Sequence, residues 1–101
     1  METFKSYDFT EWLQKRKLIW KNIQLPGEGV GMFDAWEAHS QLYRMLNNVD
    51  HYYNLICKEE VNCRRERKQT TTHINLVKTF ENTVQILEDM TVMYRLTYPH
   101  G

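Results

Sequence analysis

The residues able to do chemistry in this 101-residue chain are few and scattered. His39, His51, His73 and His100 stand far apart, and neither His-Glu-x-x-His nor Cys-x-x-Cys occurs. Cys57 and Cys63 lie six apart on one expected helix, a poor geometry for a disulfide between them. With His73 they offer three metal-ligand side chains near one place and no evident fourth. Glu88 and Asp89 are adjacent, so on a helix their side chains diverge by about 100° and form no acid–base pair. No nucleophile has a plausible neighbouring base. The expectation is a protein without catalytic residues, metal or cofactor.

The cations are more suggestive. Between Lys58 and Lys68 stand five basic and three acidic residues, with Arg64, Arg65, Arg67 and Lys68 clustered. Such clustering suits phosphate contacts. The aromatic interleaving of single-strand binders is absent from this run. Glu60 and Arg64 have the spacing of an ordinary i,i+4 ion pair. A solvated, charged helix end is the plainer expectation, with nucleic-acid contact as the alternative. Arg16 falls four residues from both Trp12 and Trp20. That spacing fits a guanidinium held between two indoles, worth about 0.5–2 kcal/mol. It suits an anion or nucleotide site at a subunit interface, or an arginine that snorkels to water along the core edge.

These residues must be carried by helices. Phe9, Trp12, Leu13, Ile19, Trp20 and Ile23 fall within an arc of roughly 120° on a helix spanning about 9–22, which Asp8 or Thr10 caps. Residues 1–8 read as an irregular lead-in. Leu25-Pro26-Gly27-Glu28-Gly29-Val30-Gly31 is the strongest breaker. It lacks both the preceding strand of a dinucleotide fingerprint and the Gly-Lys-Ser/Thr ending of a P-loop, so 25–32 reads as a connection. A second helix, about 33–67, carries Ala35, Ala38, Leu42, Met45, Leu46, Val49, Tyr52, Tyr53 and Ile56 on one face. Beyond Ile56 that face turns polar at Glu60, Arg64 and Arg67. Thr70-Thr71-Thr72 favours a turn and an N-cap. The third helix, about 71–97, carries Ile74, Val77, Phe80, Val84, Leu87, Thr91 and Tyr94, and stops before Pro99. Ile86, Met90 and Met93 form a second apolar strip on its other side. A helix apolar on two sides needs cover on two sides.

The expected fold is all-α: a short amphipathic N-terminal helix packed on a long antiparallel two-helix hairpin, in a single three-helix domain. A charged prong around 58–72 is expected at the end away from the aromatics. Thirteen basic and thirteen acidic residues cancel, which argues against a dominant electrostatic partner. No stretch reaches the length of a membrane span, and Met1-Glu2-Thr3-Phe4-Lys5 lacks the order of a signal peptide. A cytosolic protein is expected, with no membrane partner. Excess aromatic and Met surface without a catalytic constellation points to a protein-binding or regulatory module that forms a homo-oligomer. Trp12, Trp20, Trp36, Ile86, Met90 and Met93 are its expected contact residues.

Overall fold

The structure, a computed structural model, describes residues 4–23 and 32–98. All regular structure among them is helical: α1 (Thr10–Asn22), α2 (Met32–Glu66) and α3 (Thr71–Thr97). The Gly-rich connection at 25–32 lies outside the described residues except for its last position, Met32, the first residue of α2. Four residues join α2 to α3, so the two run antiparallel as a hairpin, and α1 lies along one side of it. The molecule is a rod of 61 × 19 × 15 Å.

α1 begins at Thr10, with Asp8 Oδ1 accepting the Thr10 N–H at 2.9 Å. Phe9 occupies the cap position with no side-chain bond of its own. α3 is capped by Thr70, whose hydroxyl accepts the His73 N–H at 3.2 Å. α2 ends in a double backbone closure. The Lys68 N–H bonds to the Cys63 carbonyl (3.1 Å), and the Arg67 N–H to that of Arg64 (3.3 Å). This motif places one residue in the left-handed region, where glycine is the usual occupant. Here that residue is Arg67, at φ 59°.

The core runs along the hairpin through Leu42, Leu46, Val49 and Ile56 of α2 and Phe80, Val84, Leu87 and Tyr94 of α3, with Trp12, Ile19 and Ile23 added from the α1 side. Thr91 sits among them buried, its hydroxyl donating to the Leu87 carbonyl at 2.7 Å, so that hydroxyl is satisfied within its own helix.

Three expectations are corrected at the tip. The buried residue of the first turn of α3 is His73, 2% exposed, and not Ile74, 36% exposed. Residue 73 lies seven before Phe80 and so stays in phase with 80, 84, 87, 91 and 94 once Thr70 sets the start of the helix. Glu60 does not pair with Arg64. It is 5% exposed, and its Oε2 lies 3.1 Å from His73 Nε2 and accepts the Tyr7 N–H at 2.7 Å. The end of the hairpin is therefore not a bare prong. Residues 4–9 have no regular structure, yet they lie against it as a strap. Phe4 meets the His73 ring edge-on at 5.3 Å. Tyr7 and Phe9 approach Phe80 at 5.9 and 5.5 Å, and Trp12 of α1 approaches it at 5.6 Å. Three aromatic side chains thus surround Phe80.

Candidate interaction surfaces

α1 is tied to both arms of the hairpin by two consecutive residues. Lys15 reaches Glu88 of α3 at 2.9 Å and Glu11 of its own helix at 3.2 Å. Hydrogen bonds to these two carboxylates hold its pKa above the ordinary lysine value. Arg16 reaches Asp50 of α2, with Nε 3.1 Å from both carboxylate oxygens and Nη2 3.0 Å from Oδ2. Its guanidinium also lies 5.9 Å from the Trp20 ring centre. The arginine does meet an indole, but its charge is answered by Asp50. An external anion would have to displace that carboxylate.

The expected contact residues divide between core and surface. Trp12 is corrected to a core residue: it is buried, and its indole N–H is the one buried side-chain polar atom among the described residues that lacks a hydrogen-bond partner. Trp20 is exposed at its edge and packs against Tyr43 at 4.9 Å. Trp36 is exposed and approaches His39 at 6.2 Å. Met90 is half-buried. Ile86 and Met93 are 50% and 61% exposed.

The last three meet at a groove of about 460 Å³ between α2 and α3, with Ala38, Leu42 and Tyr94 on its walls. The residues by which α1 is held, Asp50 and Glu88, are not part of it. α1 therefore covers one flank of the hairpin and leaves this flank open. A second exposed apolar set, Leu18 of α1 with Val92 of α3, lies on the α1 side, and Leu96 is exposed one turn further along α3. The two apolar strips read along α3 gave no sign of it, because Val92 and Leu96 lie off both.

At the tip, Arg64, Arg67 and Lys68 are exposed, and Arg65 donates to the Asn62 side chain at 3.1 Å. The strap adds a cation that linear spacing does not predict: Lys5 lines the same cleft as Arg67 and Lys68. His73 also borders that cleft, but both of its ring nitrogens are engaged, Nε2 by Glu60 and Nδ1 by the Gln69 amide at 2.9 Å. Cys57 and Cys63 are free thiols. Burial raises the Cys57 pKa, with Glu60 adding to the effect, so Cys57 is a weak nucleophile at neutral pH.

No group of three or more His, Cys, Asp or Glu side chains converges to hold a metal among the described residues, and none of their helices is long and apolar enough to cross a membrane. Set against protein-family models, curated proteins and solved structures, the chain matches none of them. The fold and its surfaces define an all-α protein with a three-helix core, one open apolar groove and one basic cleft.

Proposed function

We propose that this chain is a non-catalytic interaction module of the regulatory kind, and that the occupant of its open groove is a second copy of itself. The observation that carries the reading is the exposure of Ile86 and Met93 on the flank of α3 that α1 leaves uncovered. Three helices fill three corners of a four-cornered bundle, and a helix from another molecule completes it. Met93 and Met90 suit that role, because unbranched thioethers adapt to the shape set against them. A two-fold pair lays the same strip of each copy against the other and covers both grooves in one interface. Two free cysteines fit a reducing compartment, which supports a cytoplasmic setting.

Light scattering across protein concentration, at low and high salt, tests the reading. The expected result is a salt-insensitive dimer or larger species. Ile86→Asp and Met93→Asp should each give a monomer with unchanged far-UV circular dichroism. A wild-type monomer at every concentration, or assembly that survives both substitutions, overturns it.

A further inference from the structure

We infer that the cleft at the hairpin tip binds single-stranded nucleic acid, with Lys5, Arg67 and Lys68 on backbone phosphates and Phe4 against a base. The cleft measures about 490 Å³ and is bounded by the strap on one side and the α2–α3 turn on the other. Three cations line it, and none makes an ion pair among the described residues. Its one lining carboxylate, Asp8, accepts the Thr10 N–H and keeps its charge, which acts on Lys5, so the three cations outnumber the anions lining the cleft by two. The site thus carries a positive excess that its own chain does not answer, which is the requirement for phosphate.

The missing requirement for single strands, an aromatic surface beside the cations, is supplied by folding. Phe4 stands some sixty residues from the basic run in sequence, yet it lines the same cleft and is only half-buried there. Base–aromatic stacking is tolerant of sequence and needs an unstacked base, so a strand rather than a duplex fits. A concave cleft with cations on its walls also favours a thin chain over a rigid cylinder. Arg67 adds an independent sign. It holds the left-handed position at the end of α2, where glycine would be favoured. A strained residue points to a role for its side chain, and this guanidinium borders the cleft.

Fluorescence anisotropy with a labelled oligothymidine tests the inference, with the matching duplex and inorganic phosphate as the other probes. Three phosphate contacts on a single strand predict a log–log salt slope of about −2, or a loss of roughly fifteen-fold between about 50 and 200 mM salt. Lys5→Glu should weaken binding about tenfold, and Phe4→Ala at least about fivefold. Arg67→Gly is the discriminating variant, because it moves two readouts in opposite directions. It relieves the backbone, raising Tm by about 4 °C, and it should weaken binding about fivefold. The inference is overturned by no binding at the lowest salt, by a duplex that binds as well as the strand, by full competition from inorganic phosphate at about equal molar amounts, or by an Arg67→Gly protein that is more stable and binds like wild type.

Discussion

Glu60 and His73 form the most consequential single contact, because both are buried and each satisfies the other. Removing one partner strands the remaining polar group in the tip, which costs about 3 kcal/mol. Glu60→Ala also orphans the Tyr7 N–H, whereas Glu60→Gln keeps an acceptor for it. Urea unfolding should therefore rank the proteins wild type, then Glu60→Gln, then Glu60→Ala. Replacing both residues by Leu should recover only part of the loss, because apolar isosteres remove the buried pair but still orphan the Tyr7 N–H. Equal stability of Glu60→Ala and wild type would contradict the buried pair. Tyr7 gives a second prediction. Its phenol pKa is pushed up to about 12, by burial first and then by Glu81, which accepts its hydroxyl at 3.1 Å. The folded chain thus holds this proton more tightly than the unfolded chain, whose tyrosine titrates near 10.0. The contribution is complete below about pH 10 and is lost as pH climbs from there toward 12. Between about pH 9 and 12, the Tm advantage of wild type over Tyr7→Phe should shrink. An advantage that stays level across the range would remove Glu81 and burial as its source.

Phe80 is where the strap, α1 and α3 meet, so its truncation reads out element packing rather than one contact. Phe80→Ala should cost about 3–5 kcal/mol in unfolding free energy, and hydrogen exchange should quicken in α1 and at the tip before the middle of the hairpin. Uniform acceleration along all three helices would mean that the elements do not open separately. The helices themselves were legible in advance. Their apolar spacing is strict, Thr70 provides a cap with a clear mechanism, and the turn between α2 and α3 is short. The tip was not legible, for a physical reason. Glu60 read as a polar position on a failing stripe, and Cys63 and His73 only as metal-ligand types, since nothing local says that Tyr7 supplies a hydrogen bond from 53 residues away. Lys5 and Phe4 likewise carry no periodic signal, because a strap without regular structure has no period. Trp12 misled for the opposite reason. Helical phase put it on the apolar arc of α1, but phase does not say whether that arc meets its own hairpin or another chain. Asp50 was also missed as the partner of Arg16, for no spacing rule links residues on different helices.

Taken whole, the molecule combines balanced charge with uncovered apolar surface. Its thirteen basic and thirteen acidic residues give a net charge of zero and an isoelectric point near 6.9. Long-range repulsion is then weakest near neutral pH, where the Ile86–Met93 strip and the exposed Leu18, Val92 and Leu96 are free to associate. Light scattering should report the strongest assembly close to pH 7 and weaker assembly about two units to either side. A Met93→Asp protein should lose most of that dependence. Association that is strongest well away from neutrality would assign it to specific charges instead.

The strap has a consequence for how the chain is made. Tyr7 is bound by residues 53 and 74 positions further along. At about 5–20 residues per second, roughly 4–15 seconds separate the synthesis of Tyr7 from that of Glu81. The hairpin closes from its own turn, over short loops, and such local pairing is fast. Residues 4–9 are therefore made well before their partners and are among the last to find their place, and until then Phe4, Tyr7 and Phe9 lack the contacts that bury them.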